Sequence, residues 1–339
     1  MKRILVVGVG SVGQRHIRAF LATGRAQVAV CDTDLRLLCQ TAAQWGLRRG
    51  YESLDEAMGE EFDAAIVATP AQLHVRMATR LAEAGIHVLI EKPLGTSMAG
   101  VEELQQAVAR HSLAAAVGYV YRLHPALAAM RQAIQSGQFG APLQIVAVCG
   151  QHFPYYRPAY REIYYANRAT GGGAIQDALT HVLNAGEWLA GPIDRLVADA
   201  AHLVLEGVDV EDTVHVMARH GAVLGSYSLN QHQAPDEVTI TAICERGTAR
   251  FEFHNHRWRW MTHPAQPWHD ERHEPPSADA LFIAQANAFL DAIEGGEPLC
   301  SLAEGVQTLR ANLAAMTSVE QASWQCIEHA ADVALISFA

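Results

Sequence analysis

The chain reads as an α/β protein. A Rossmann-type, doubly wound parallel sheet is predicted over residues 1–122, followed by an α+β domain over 123–339 with a large, mainly antiparallel open sheet. Three observations predict this. Short, near-continuous apolar runs alternate with helix-length segments up to about residue 120, as in a parallel sheet buried on both faces. Gly8-Val9-Gly10-Ser11-Val12-Gly13 follows the first such run and opens the first helical segment. After Tyr119, runs rich in Val, Thr, Ile, Tyr and Phe follow one another with few helices between them, so they should pair mainly antiparallel. At 339 residues, half of them hydrophobic, the chain is too long for one ordinary core, and two domains are expected.

In order, RILVVG (3–8), QVAVCD (27–32), DAAIVAT (63–69), HVLIE (87–91) and AAAVGY (114–119) are the predicted parallel strands. Helical segments at 12–23, 34–45, 72–84 and 97–110 lie between them and make the crossovers. The start, MKRILVVGVG, places basic residues before an apolar run. Glycine interrupts that run after about six residues, too soon for a signal peptide. In the turn after the first strand, Gly8 permits the tight bend, Gly10 lets backbone approach a diphosphate, and Gly13 lets helix pack on strand. Ser11 and Val12 open the helix whose positive end faces that diphosphate. Asp32 closes the second strand, 19 residues after Gly13, where an acid accepts hydrogen bonds from ribose hydroxyls and repels a 2′-phosphate. NAD is therefore expected over NADP, although Arg36 one helical turn on leaves NADP open. Thr69-Pro70 and Glu91-Lys92-Pro93 fall at the C-terminal ends of strands, where α/β sheets bind ligands.

The second half begins with a helix at 124–137 and a strand at 142–150. Further strands are predicted at 194–205, 211–219, 222–231, 237–244 and 248–254, then helices near 279–294 and 301–325. After Gly171 to Gly173, a helix over about 174–189 puts Asp177 and His181 on one face at i,i+4. Such a pair orients and charges an imidazole for proton transfer, or is an exposed helical pair; spacing leaves both open. Just before it, FPYYRPAYREIYY (153–165) gathers tyrosines with Arg157 and Arg161, which suits a polyhydroxylated ligand or an interface. Tyr119 and Arg122, after a sheet strand, and Tyr160 and Arg161 are the candidate substrate-side residues. Asn230 to Gln233 end a predicted strand and read as an exposed strand end, a pocket lining or a subunit contact. His254, His256, His263, His269 and His273 match no ligand spacing, so no metal is expected, and the prolines at 264, 267, 275 and 276 mark irregular chain. Trp258, Trp260 and Trp268 read as packing or interface residues.

The net charge of -11 argues against nucleic acid as a partner, and no apolar run approaches a membrane span. Six cysteines without a C-x-x-C pair suggest a reducing, cytoplasmic setting, with Cys31 and Cys149 as core thiols.

In this order, GVGSVGQRH, ATPAQLHVRMATRLAEAGIHVLIEKPL, GYVYRLHPA and GGGAIQDALTH resemble the glucose–fructose oxidoreductase, inositol dehydrogenase and rhizopine-catabolism (Gfo/Idh/MocA) family across most of the chain. The resemblance implies an NAD(P)-dependent oxidoreductase acting on a secondary alcohol of a sugar, sugar derivative or cyclitol, assembled as a homodimer or homotetramer. It implies Lys92, Asp177 and His181 as catalytic residues. It places Gly8, Gly10, Gly13, Asp32, Thr69, Pro70, His74 and Glu91 on the cofactor side, and a cis bond before Pro93. One departure is Leu179, where many members have glycine, which is expected to reshape the substrate pocket. Two other readings remain: transient oxidation without net redox (hydrolysis, elimination or epimerisation), and a cofactor-binding regulator without turnover. The regulator should lack Lys92 or the Asp177–His181 pair.

Overall fold

The computed structural model describes residues 1–274, 277 and 279–328. The chain forms two compact units, Met1–Val120 with Pro276–Val306 and Tyr121–Pro275 with Gln307–Ala339.

The first unit runs β1 (Lys2–Val7), α1 (Ser11–Ala22), β2 (Ala26–Cys31), α2 (Leu35–Trp45), β3 (Gly50–Tyr51), α3 (Leu54–Ala57), β4 (Ala64–Val67), α4 (His74–Glu83), β5 (His87–Ile90), α5 (Val101–Arg110) and β6 (Ala115–Val117). The sheet order is β3-β2-β1-β4-β5-β6, all parallel. The central strand alternates no polar residues: Ile4, Leu5, Val6 and Val7 are all buried, because helices cover both faces. All five expected strands are present. β3 was not expected, since two residues carry no periodicity.

The second unit continues with α6 (Pro125–Gln135), β7 (Pro142–Gly150), α7 (Phe153–Tyr156), a π-helical turn (Ile175–Leu179), α8 (Thr180–Ala190), β8 (Arg195–Ala201), β9 (Thr213–His220), β10 (Val223–Asn230), β11 (Glu237–Cys244), β12 (Gly247–Glu252), β13 (Arg257–Met261) and β14 (His269–Arg272). Then come α9 (Ala280–Ile293), α10 (Leu302–Gln321) and β15 (Gln325–Cys326). The nine-stranded sheet has the order β14-β13-β12-β11-β7-β10-β9-β8-β15. Among the described residues of this sheet, only β7 and β10 pair in parallel. One face carries Ile145, Ala147, Val216, Tyr227, Ile240 and Phe251 into a core shared with Leu127, Met130, Leu183 and Ala315 of the helices. On the other face, register sets Met217 beside Ser226 and Val146, with Val148 and Leu224 nearby. There Val148 is 43%, Met217 58% and Leu224 47% exposed.

β13 and β14 flank the irregular chain expected at Pro264 and Pro267, and Pro275 and Pro276 lie outside the described residues. RWRWM alternates as a strand should, with Trp258 buried and stacked on Trp260 at 4.4 Å. Pro264 and Pro267 lie in the connection between the two strands.

Late in sequence, α9 belongs to the first unit although a division at residue 122 assigns it to the second. Its apolar residues Phe282, Ala286, Phe289 and Leu290 share a core with Ile17 and Phe20 of α1. Arg25 pairs with Asp291 (2.7 Å) and Glu294 (3.0 Å) at the rim.

Candidate active site

The turn after β1 is built from backbone. Gly8 has φ +90°, and a Cβ there would lie 2.6 Å from the Ala68 carbonyl oxygen. A Cβ on Gly13 would fall on the Gly8 carbonyl oxygen. At Gly10, the N-cap of α1, nothing lies within 4 Å of a built Cβ. No side chain caps α1, so the N–H groups of its first turn, from Ser11, Val12 and Gly13, face that open side. A diphosphate fits this cradle. Asp32 accepts the Val9 N–H at 2.8 Å and the Asp34 N–H at 2.9 Å, so it also braces the turn.

Beyond β4 and β5, the expected residues take two kinds of place. The Thr69 hydroxyl is buried with no hydrogen-bond partner among the described residues, which leaves it available to a bound cofactor, and Pro70 is exposed beside it. His74 is buried: Nδ1 lies 2.9 Å from the Pro93 carbonyl and Nε2 2.7 Å from the Thr69 carbonyl. It staples the two strand-end turns together. Burial pulls its pKa below the ordinary value, against the two carbonyls that favour the charged ring. Glu91 is also buried. Its Oε1 lies 2.6 Å from Nε2 of His16, and its Oε2 accepts the Lys92 N–H at 3.1 Å. Burial alone would raise the Glu91 pKa, but the His16 contact and the nearby positive charge of Lys92 hold it below the ordinary value. The Lys92–Pro93 bond is cis. His74 and Glu91, placed on the cofactor side by resemblance, therefore spend their polar atoms on protein groups: one contact each on the Glu91-Lys92-Pro93 turn and the others on Thr69 and His16. Sequence reading gave no role to His16, which on α1 shows only as one more helical position.

In the second unit Asp177 lies in the π turn and His181 at the start of α8. A π turn where an unbroken α-helix was expected shifts Asp177 around the axis relative to the later helix. Buried Glu211 holds this helix start: its carbonyl accepts the Ala174 N–H (2.9 Å) and its Oε1 the Ile175 N–H (3.1 Å). Arg168 donates to its Oε2 at 2.9 Å. A carboxylate at a helix N-terminus is favourable in itself. The Tyr164 hydroxyl donates to Asp177 Oδ1 at 2.6 Å. The Tyr121 ring stacks on His181, with centroids 4.8 Å apart and planes 19° from parallel. Burial pushes the Tyr121 phenol above its ordinary pKa, so at neutral pH it is an uncharged brace.

Four substrate-side candidates are placed differently from their expected role. Tyr160 is 2% exposed and donates to the Glu206 carbonyl (2.7 Å), inside a small cluster with Phe153, Tyr165 and Leu205. Arg161 donates to the same carbonyl at 2.7 Å. In the aromatic segment it is Tyr164 that meets Asp177. Arg122 is 2% exposed: Nε donates to Asn184 Oδ1 (2.9 Å), and the guanidinium lies 5.5 Å from the Trp188 ring centroid. Asn184 in turn reaches Thr308, and Thr308 reaches Glu187. Tyr119 is buried in the first unit beside Leu89, Phe289 and Cys300. Leu179 is fully buried in the second core, so its bulk fills packing space.

Residues 2–119 match the family model described as "Oxidoreductase family, NAD-binding Rossmann fold", and residues 127–250 match the one described as "GFO/IDH/MocA C-terminal domain". The chain is similar to the rhizopine catabolism protein MocA of Rhizobium meliloti, with 27% identity over 306 residues, 87% of this chain and 88% of that one. It is similar to an inositol 2-dehydrogenase of Corynebacterium glutamicum, with 26% identity over 87% of this chain and 94% of that one. Among solved structures, the WlbA dehydrogenase from Bordetella pertussis in complex with NADH and UDP-GlcNAcA superposes with a TM-score of 0.81, at 25% identity, covering 96% of this chain and 98% of that one.

Proposed function

Because the chain belongs to the GFO/IDH/MocA family of NAD-binding oxidoreductases, we propose that Lys92, Asp177 and His181 are the catalytic residues with which it interconverts a secondary alcohol and a ketone on a sugar, sugar derivative or cyclitol. NAD, when bound, supplies the hydride acceptor. Gly8 to Gly13 hold its diphosphate, and Asp32 accepts from the adenosine ribose and disfavours NADP. His181 removes the hydroxyl proton as general base, its ring held by Tyr121. Asp177, itself held by Tyr164, stabilises the protonated imidazole. Lys92 donates to the reacting oxygen and stabilises its developing negative charge.

The observation that carries this reading is the Asp177–His181 helix start: a carboxylate and an imidazole one turn apart, each braced by a tyrosine, on a turn fastened by buried Glu211. One relative is named for inositol and the WlbA dehydrogenase is in complex with UDP-GlcNAcA, which supports the substrate class. The test is a panel of sugars, sugar acids, cyclitols and amino sugars with NAD and with NADP, following absorbance of the reduced cofactor. Lys92→Ala and His181→Ala should each lower kcat by roughly 100-fold or more with NADH affinity retained, and the double variant should lose less than the product. Wild-type turnover in both single variants would sink the assignment. Product formed without accumulating NADH would move the reading to transient oxidation.

The exposed apolar face of the nine-stranded sheet supports a homodimer or homotetramer. Six free cysteines support a reducing, cytoplasmic setting.

A further inference from the structure

We propose that His16 is a positioning residue for Lys92, acting through the buried carboxylate of Glu91; the inference rests on Lys92 being catalytic as assigned above. The geometry makes one connected unit. His16 sits on α1 and is fully buried, with the Phe282 ring edge-on at 5.2 Å. Its Nδ1 has no partner among the described residues, so a proton there would be buried without an acceptor, and the proton belongs on Nε2, facing Glu91 Oε1. The other Glu91 oxygen takes the Lys92 N–H. There is no slack around the carboxylate: a Cβ on Gly118 would stand 3.0 Å from Oε1. From the opposite side His74 holds the Pro93 carbonyl. The backbone of Lys92 is thus gripped on both sides by groups bonded to buried imidazoles, and a negative charge is kept one residue from its ammonium.

The physical role of His16 follows from what a buried carboxylate needs. Without a donor on Oε1, burial favours the neutral acid. Glu91 would then be more readily protonated, the grip on the Lys92 N–H would weaken, and Lys92 would lose the negative charge of its neighbour. Small misplacement of a catalytic group is enough to cost roughly 100-fold in rate. Glutamine at position 16 keeps an N–H donor for Oε1; leucine does not.

The chain offers a direct spectroscopic view, because Lys2 and Lys92 are its only two lysines. In carbon-13 lysine-labelled protein without cofactor, the Lys92 side-chain resonance is assigned by Lys2→Arg. His16→Leu should shift that resonance and produce a protonated-carboxyl infrared band that is missing in Glu91→Gln and in the wild type. His16→Gln should restore both signals. In turnover, His16→Leu and Glu91→Gln should each lower kcat by roughly 100-fold while NADH affinity, read by fluorescence, changes by less than about threefold. The double variant should be no worse than either single one. An unmoved Lys92 resonance in His16→Leu overturns the proposal, as does a fall in NADH affinity that matches the fall in rate. Should His16→Leu fail to fold, Glu91→Gln and His16→Gln carry the same test: the first must shift Lys92 and lower kcat, and the second must do neither. Intact turnover in Lys92→Ala would sink the assigned function, while the resonance would still decide whether His16 positions that side chain.

Discussion

A methyl group added at Gly13 would fall on the Gly8 carbonyl oxygen, whereas one added at Gly10 meets nothing within 4 Å. The same substitution therefore separates folding from binding. Gly13→Ala should lower the melting temperature by roughly 5–10 °C, because backbone must move to admit the side chain. Gly10→Ala should melt like the wild type but bind NADH roughly tenfold more weakly, its methyl group filling the diphosphate cradle. Unchanged NADH binding in Gly10→Ala would remove the diphosphate from this turn. A second residue sets an acid limit. His124 is buried at the start of α6, and its Nδ1 accepts the Ala126 N–H at 3.2 Å. Burial, and then the charges of His256 and His273, pull its pKa down from 6.5 to about 4. Between those values the unfolded chain binds the proton that the folded one refuses. The stabilisation is present above pH 6.5 and is lost as pH falls towards 4. His124→Asn, which keeps an acceptor for the cap, should flatten the fall of melting temperature across that window. An identical slope in both proteins would place the acid sensitivity elsewhere.

The elements that carry chemistry are fastened by residues far away in sequence. Glu211 holds the start of the helix bearing Asp177 and His181, and its carboxylate reaches across 36 positions to the Ile175 N–H. Glu211→Ala should destabilise the protein to urea by about 2–3 kcal/mol, since it strips a buried acceptor from two donors and a helix end. Glu211→Gln should lose less, and equal stability of all three proteins would refute the capping role. The same distance explains what sequence could show. The glycine turn, Asp32 and the Asp177–His181 spacing are local patterns; the first two land on the elements expected, and the third on a helix start whose first turn is π. The π turn, the Glu211 cap, the His16–Glu91 contact across 75 positions and the Tyr121 stack are set by tertiary neighbours and leave no periodicity. Residue type alone points to Tyr160 and Arg161, and it cannot tell a tyrosine that packs from Tyr164, four positions on, that meets the carboxylate. β13 was hidden because arginine alternates with tryptophan beside prolines, a pattern that reads as loop until its pairing with β12 is seen.

At the scale of the whole molecule, the nine-stranded sheet has one face under helices and one with Val148, Met217 and Leu224 in the open. Glutamates at Val148 and Met217 together should shift the sedimenting species towards monomer without loss of helix or strand content by circular dichroism. An unchanged sedimentation coefficient would place any self-association on another surface. The return of α9 to α1 has a consequence for how the protein is made. The ribosome delivers the glycine turn first, yet the helix that covers Phe20 and His16 is synthesised only after every strand from β7 to β14. For most of translation the nascent dinucleotide unit thus carries a bare aromatic docking face, and that interval is when a chaperone reading exposed phenylalanine would find it.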